Sequence, residues 1–394
     1  MPWQECSVMD ERMKFVARLL EGDTMTQLCE EYGISRKTGY KIWERYRGCG
    51  VEGLVDRTRR PVRFGNQLPI QIEKTLLRIK KEKPHWGAKK IRELFSRKHS
   101  DLKLPAVSTV QALLARHGLV TVRGRKRYRA VGTALSNGAN PNELWCADYK
   151  GEFMLGSKQY CYPLTISDFT SRFLICCEAL ETTKEKVAFT VFERVFKEFG
   201  LPDAIRTDNG VPFASTGLFG LSKLSAWWLR LGIGIERIKP GNPQQNGRHE
   251  RMHLTLKKET ARPSGMNFLQ QQSKFDDFIS EYNLERPHEA LQMKCPGEIY
   301  KPSKRIYQGL PPAEYALHDR TVNVTMCGRI CIKKLKVNFC RALAGHAVGI
   351  KQVDDKVWLV TFMDYDLGYF DEESRRFEPL DNPFGPKVLP MSPV

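Results

Sequence analysis

Three acidic residues in the middle of this chain carry its most specific chemical signal. Asp148 sits in Leu144-Trp145-Cys146-Ala147-Asp148-Tyr149, Asp208 in Ile205-Arg206-Thr207-Asp208-Asn209-Gly210, and Glu250 in Asn246-Gly247-Arg248-His249-Glu250-Arg251. The two aspartates end or interrupt short apolar, strand-like runs, and the glutamate falls on a predicted helix. Strand ends and a helix can bring such residues to one point although the sequence keeps them apart. Clustered carboxylates bind hard divalent cations through oxygen, a donor set that suits Mg2+ better than Zn2+. Two such ions can activate a water or hydroxyl and stabilise both oxygens of an in-line phosphodiester displacement.

The elements that must position these acids can be read from apolar periodicity. Leu144 to Phe153, Tyr160 to Ser167 and Phe173 to Cys177 read as strands, and Ala204 to Thr207 as a short buried strand that delivers Asp208. Val187 to Phe199 and Leu218 to Leu231 read as helices, the second anchored by Trp227 and Trp228. Ile233 to Ile238 reads as a strand, Gly241 to Gly247 as a flexible loop, and a helix begins near Asn246. On that helix Asn246, Glu250 and Lys257 share one face by spacing. A carboxylate on a metal and an ammonium two turns away suit a helix that holds a DNA strand; the plain alternative for Lys257 is a solvated lysine. Phe268 to Leu291 reads as one long helix, and His288 as a buttress of the fold.

His249-Glu250-Arg251-Met252-His253 also fits H-E-x-x-H, in which two histidines on one helical face bind zinc in a metalloprotease. No recognisable downstream motif supplies a third ligand, Glu250 already belongs to an acidic trio, and peptide hydrolysis does not explain the rest of the chain.

The 394 residues suggest several domains, and a formal charge of +18 points to a polyanionic partner, because Lys and Arg that displace DNA counterions supply much of the binding free energy. A basic, ribosome-associated protein is the bland alternative. Residues 9–47 read as a helix-turn-helix: Gly22 stops the first helix, Thr24 or Thr26 caps the second, Gly33 supplies a left-handed turn and Ser35 caps the third. Gly39, Ile42, Trp43 and Tyr46 of that third helix should face inward. Arg36, Lys37, Tyr40 and Lys41 should face outward, as a recognition helix presents a basic face to the major groove. A second helical module spans 68–120, with Ser108 or Thr109 as cap of its third helix; it reads as a DNA reader or as a spacer. The linker at 51–67, with Arg57, Arg59, Arg60 and Arg63, reads equally as a backbone tracker or a tether. In the linker at 121–140, Arg123, Arg125, Lys126, Arg127 and Arg129 repel one another unless a polyanion neutralises them, and phosphate contacts are expected there. Residues 301–394 alternate as strands, with Asp354-Asp355 as a turn, and suggest a small β-barrel. The eleven cysteines are scattered without a C-x-x-C pair and read as reduced cytosolic thiols, Cys327 and Cys331 being the nearest approach to a ligand pair. No signal peptide or membrane-length apolar run is visible.

The strings Trp145-Cys146-Ala147-Asp148, Gly200-Leu201-Pro202, Thr207-Asp208-Asn209-Gly210 with Phe213, Lys239-Pro240-Gly241-Asn242-Pro243-Gln244-Gln245-Asn246-Gly247 and Asn283-Leu284-Glu285-Arg286-Pro287-His288 occur in this order. Together they resemble the integrase-type core of bacterial insertion-sequence transposases, relatives of retroviral integrases. Pro84-His85-Trp86-Gly87 followed by Lys89-Lys90-Ile91 resembles the second helix-turn-helix of the same group. The resemblance implies a multidomain chain: a helix-turn-helix domain at 1–50, a second at 68–120, an α/β ribonuclease H-like core at 141–300 whose first three strands form an antiparallel meander, and a C-terminal β-rich domain at 301–394. It implies a catalytic, metal-holding triad of Asp148, Asp208 and Glu250 with two Mg2+ ions, Mn2+ substituting, and double-stranded DNA as partner in a dimer or tetramer. DNA contacts are expected from Arg36, Lys37, Tyr40, Lys41, Arg123, Arg125, Lys126, Arg127, Asn246 and Lys257. The expected setting is the bacterial cytoplasm and nucleoid, without membrane. Asp208 and Glu250 lie further apart than in the retroviral pattern, and the extra residues fall around Leu218–Leu231. The expected activity is cleavage of element ends and joining of 3′-hydroxyls to target DNA; the alternative is a DNA-binding regulator that no longer cuts.

Overall fold

A computed structural model describes residues 7–56, 68–120, 135–239, 243–332 and 335–384 of the chain. The chain divides into two units, Met1–Ile70 and Gln71–Val394.

The first unit is three helices, α1 (Val8–Leu20), α2 (Met25–Glu31) and α3 (Arg36–Cys49). Ser7, Thr24 and Ser35 each cap one of them by accepting a backbone N–H three residues on, at 3.1, 3.5 and 3.2 Å. Such caps satisfy donors that a helix start leaves orphaned. Gly33, at φ +62°, makes the turn between α2 and α3. Phe15, Val16, Leu28, Cys29 and Leu54 form the core, and Ile42, Trp43 and Tyr46 pack against it as expected. At Gly39 a Cβ would stand 2.6 Å from Cys29 Sγ and 2.8 Å from Met25 Sδ, so only glycine lets α3 cross α2 this closely.

The second unit opens with α4 (Ile70–Glu82), α5 (Ala88–Lys98) and α6 (Val107–Arg116). The expected cap of α6 at Ser108 or Thr109 is corrected: Ala106 holds the cap position in an extended conformation, and both hydroxyl residues lie inside the first turn. This module docks on the segment 281–298 through Lys83–Glu281 (2.7 Å), Lys89–Glu289 (2.7 Å) and Arg97–Glu298 (2.6 Å), with Arg97 also donating to the Met293 carbonyl. Trp86 is buried at the joint, with Lys83, Lys90 and Arg286 placed over its ring.

The core sheet comprises β1 (Leu144–Tyr149), β2 (Phe153–Met154), β3 (Tyr160–Asp168), β4 (Leu174–Leu180), β5 (Ala204–Thr207) and β6 (Gly234–Arg237). β1, β3 and β4 make the expected antiparallel meander, and β5 and β6 add in parallel beside β1. Trp145, Ala147, Leu164 and Ile166 alternate onto one face, covered by α7 (Glu185–Phe199) and α8 (Lys223–Arg230). The other face is covered by α9 (Gly247–Thr260) and α10 (Phe268–Ser280), through Met252, Leu256, Phe275 and Phe278. Two expected helices are shorter than read. Leu218–Leu231 splits at Gly220 (φ +68°), and α8 starts afresh behind a capping box between Ser222 and Ser225. Phe268–Leu291 ends as α-helix at Ser280 and continues as a π turn over Glu281–Glu285.

The C-terminal region holds β7 (Arg320–Asn323), β8 (Arg329–Ile332), β9 (Leu335–Asn338), β10 (Ala347–Asp354), β11 (Val357–Phe362), β12 (Tyr365–Asp371) and β13 (Arg376–Pro379). Five run in the order β13-β12-β11-β10-β7, while β8 and β9 form a separate pair. Among the described residues these ladders do not close, so the expected barrel becomes an open sheet with a hairpin. On β11 the side chains in the core are Trp358, Val360 and Phe362, and a register shift at Val360/Thr361 buries Thr361 as well. This apolar face shares its core with Leu221, Ala226 and Leu229 on and before α8.

Candidate active site and nucleic-acid interface

Asp148 stands near the end of β1, directly across from Thr165 of β3. Alternation along β1 places it on the face of Leu144 and Cys146, under α9. Asp208 follows β5, and its Oδ1 accepts the Gly210 N–H at 3.1 Å. A Cβ at Gly210 would come within 2.9 Å of Asp208 Oδ2, so the glycine leaves the carboxylate its place. Asn209 ties the turn to β6 by donating to the Ile238 carbonyl at 2.7 Å. Glu250 lies exposed on the first turn of α9. Asp148 and Glu250 line one open cleft of about 420 Å³, together with Lys150, His253 and Lys257.

The electrostatics tie the third acid to the other two. The Asp148 carboxyl is pushed up to about 7, first by burial, then by the negative charge of Asp208, and more weakly by that of Glu250. Like charges near one another disfavour ionisation, and a cation among them reverses this. Among the described residues no three His, Cys, Asp or Glu side chains already stand together at metal-ligand spacing. The donor set fits hard divalent cations: it is all oxygen, two of the carboxylates share an open cleft, and the Lys150 charge offsets their repulsion only in part.

The histidine pair of the H-E-x-x-H string has a different task. Thr165 Oγ1 donates to the Asp148 carbonyl at 3.0 Å. A hydroxyl has one proton to give, so the two imidazole nitrogens beside it, His249 Nε2 at 2.8 Å and His253 Nε2 at 2.6 Å, must both be donors to that oxygen. His249 Nδ1 then accepts from Ser167 Oγ at 2.7 Å. Burial keeps both rings neutral, holding His249 down to about 3 and His253 well below the usual histidine range. Zinc needs a bare lone pair from each histidine aimed at one point. Here both Nε2 atoms carry protons and His249 Nδ1 is engaged. The pair therefore braces β3 and α9 behind Asp148, and His253 Nδ1 faces Asp148 Oδ2 at 3.8 Å.

The model of the "Integrase core domain" matches residues 138–243, and a second one of the same description matches 231–296. A "Helix-turn-helix domain" model matches 11–61 and a "Homeodomain-like domain" model 38–114. Integrase-core similarity thus spans residues 138–296, behind helix-turn-helix and homeodomain-like similarity over residues 11–114. It resembles insertion-element proteins. A 31.7 kDa protein of insertion element IS407 from Burkholderia multivorans is 24% identical over 57% of this chain and 78% of its own length. A 39.2 kDa protein of insertion element IS476 from Xanthomonas euvesicatoria is 22% identical over 77% and 81%. The Gag-Pol polyprotein of baboon endogenous virus is 27% identical over 44% of this chain, which spans 10% of that polyprotein. Among solved structures, the HTLV-2 integrase catalytic core domain in complex with magnesium matches at 16% identity over 42% of this chain and all of that chain, with a TM-score of 0.34. A simian T-cell lymphotropic virus intasome chain matches at 14% over 74% and 97%, with a TM-score of 0.38.

The integrase core uses residues that sequence reasoning passed over. Arg206, buried within β5, binds Glu236 of β6 at 2.8 Å and the Gln245 carbonyl at 3.2 Å, fixing the entry to α9 against the strand that carries Asp208. Arg206 and Arg248 also approach the Phe169 ring, at 4.8 and 3.9 Å. The signal was a lone arginine inside an apolar strand. Asp168 is a further buried acid at the end of β3, but the Asn142 and Ser171 backbone amides and the Ser171 hydroxyl all donate to it, which marks it as a structural anchor. The Asn283-to-His288 string is structural too. Asn283 makes paired bonds of 2.8 and 2.9 Å with the Leu174 backbone, Arg286 pairs with Glu259, and His288 is buried against Tyr282 as the expected buttress.

Of the expected DNA contacts, Arg36, Lys37, Tyr40 and Lys41 are exposed on α3, opposite the buried Gly39. Lys257 is exposed on the acidic cleft. Asn246, expected on the same helix face, is instead 4% exposed at the start of α9. Arg123, Arg125, Lys126, Arg127 and Arg129, like Arg57, Arg59, Arg60 and Arg63 of the earlier linker, lie outside the described residues. Among the described residues no helix is long and apolar enough to cross a membrane.

Proposed function

We propose that this protein is a DNA transposase, which binds the terminal inverted repeats of its own element, cleaves the ends and joins their 3′-hydroxyls to target DNA. Asp148, Asp208 and Glu250 are the carboxylates that hold the divalent cations, two Mg2+ per site with Mn2+ able to replace them. The observation that carries this reading is that Asp148 and Glu250 line one open cleft, with the Asp148 carboxyl raised first by burial and then by the charge of Asp208, in a region that matches the integrase core domain. Bound there, such ions would polarise the attacked phosphate and ease departure of its leaving oxygen.

The chain's own groups do the positioning. Thr165 and the two histidines fix the backbone and flank of Asp148, Gly210 and Asn209 fix Asp208, and α9 presents Glu250 and Lys257 to the same cleft. In the first step a water oxygen attacks phosphorus and the P–O3′ bond breaks, freeing the 3′-hydroxyl of the element end. In the second that hydroxyl attacks a target phosphodiester and displaces the target's own 3′-oxygen. Neither step needs a protein nucleophile, which agrees with the absence of an activated serine or tyrosine among the described residues of the cleft. Arg36, Lys37, Tyr40 and Lys41 read the terminal repeat, the 121–140 linker adds phosphate contacts, and a dimer or tetramer in the bacterial nucleoid brings two ends together.

The test is an assay of purified protein with duplexes from the ends of its element, a supercoiled target and Mg2+. Nicked ends and joined products are expected, and Asp208→Asn should abolish both while leaving end binding in place. End binding without any cleavage by the wild type would mean a regulator that no longer cuts.

A further inference from the structure

The acidic cleft does not end at Lys257. A second cleft of about 160 Å³ adjoins it and shares Lys150, Gly151 and Lys257 with it, and runs on along the last turn of α9 to Thr260 and Arg262. A third, about 420 Å³, shares Thr260 and Arg262 with the second and reaches the joint where the helical module α4–α6 docks, at His85 and Trp86. The three are one groove that starts at Asp148 and Glu250 and follows α9.

Its middle stretch is lined by Lys150, Lys257 and Arg262, against the single carboxylate of Glu152. None of those three cations has a carboxylate within ion-pair distance among the described residues. Further along, Glu259 and Glu281 are neutralised by Arg286 at 2.9 Å and Lys83 at 2.7 Å, while Glu82 and Asp277 face a cleft that Lys258, Arg262 and Lys274 also line. Cations that line an open groove without a carboxylate partner suit an anion among them. A phosphodiester is the anion that an adjoining DNA-cutting site would place there.

We propose that Lys150 and Arg262, with Lys257, form a phosphate track that leads the DNA strand from the acidic cleft along α9 toward the second helical module. This rests on the transposase reading, and it assigns Lys150 and Arg262 a binding role. The strand beyond the scissile phosphate lies in the middle cleft, its backbone neutralised by the three cations. The occupant is a DNA backbone, from the element's end or from the target.

The test is the salt dependence of DNA binding, read by fluorescence anisotropy in chelator so that no cutting occurs. Each phosphate contact contributes about 0.9 to the slope of log K against log salt. Lys150→Gln combined with Arg262→Gln should lower the steepness by about two and weaken binding at 0.15 M salt, with an unchanged melting temperature. Lys150→Arg with Arg262→Lys should restore the slope, and Lys197→Ala, an exposed lysine on α7 paired with Glu193, should leave it alone. Loss with end duplexes only assigns the track to the element end; loss with unrelated duplexes as well assigns it to DNA of any sequence. A slope unchanged in the double glutamine variant with both duplexes overturns the track, whatever the wild type does in Mg2+. Failure of the wild type to cut, with the slope loss intact, overturns the transposase reading and leaves the track standing.

Discussion

Replacing Asp148 with Asn tests the electrostatics of the cleft without any DNA. The Asp148 carboxyl lies at about 7, against an ordinary 3.8, so in metal-free protein the fold favours its neutral form. A raised carboxyl contributes stability that is fully present below about pH 4 and is lost as pH rises through about 7. Each unit is worth about 1.4 kcal/mol, so between pH 5 and pH 8 the loss is about 3 kcal/mol. For a unit of this size that is roughly 6 °C in melting temperature. The buried His249, held at about 3, acts in the opposite sense, adding stability as pH rises through 6.5. It does so in both proteins, so the wild-type-minus-variant difference isolates Asp148. Asparagine keeps the backbone carbonyl that accepts from Thr165. Thermal unfolding in chelator at pH 5 and pH 8 is the assay. Asp148→Asn should match or fall below the wild type at pH 5 and exceed it by several degrees at pH 8, and Mg2+ should raise only the wild type at pH 8. Parallel melting of the two proteins across this range would refute the reasoning.

Two further substitutions probe the supports of the site and of the reading head. Thr165→Val keeps shape but removes the oxygen that receives both imidazole N–H groups, stranding two buried donors; a loss of about 2–5 kcal/mol is expected, measured by urea unfolding, with weakened Mg2+ binding as the second readout. Gly39→Val drives a side chain into Cys29, Met25 and Phe15, so the first unit should unfold separately at lower temperature, with end binding lost and the 71–394 unit's melting unchanged, as followed by calorimetry.

Where local chemistry decides, the sequence is transparent. Thr24, Ser35 and Gly33 each do what their residue type is suited to, so the turn and the second and third helices of the first unit are legible nearly residue by residue, whereas the Ser7 cap of the first helix goes unread. Apolar alternation finds β3, β4, β5 and the start of β1, and with them Asp148 and the run that leads to Asp208, but the expected Leu144–Phe153 strand breaks after Tyr149 and resumes as the short β2. Three things escape such reading because they depend on partners distant in sequence. Phe268–Leu291 carries helical periodicity throughout, but Asn283 is drawn aside to the backbone of Leu174, and the helix gives way to a π turn there. Asn246 has the spacing of an exposed helix residue, yet lies buried where the chain enters α9. The roles of His249 and His253 follow from one hydroxyl on β3, more than eighty positions away, which no local pattern announces. The C-terminal strands were visible by alternation, whereas whether they close depends on pairings that alternation does not specify.

The proposed chemistry turns on joint binding of divalent cations by Asp148, Asp208 and Glu250. Crystals soaked in Mn2+ and measured at the manganese absorption edge test it most directly. Anomalous peaks are expected at coordination distance from Asp148, shared with Asp208 or Glu250, and are lost in Asp148→Asn. Manganese bound by His249 and His253, or none in the cleft at saturating concentration, would contradict it.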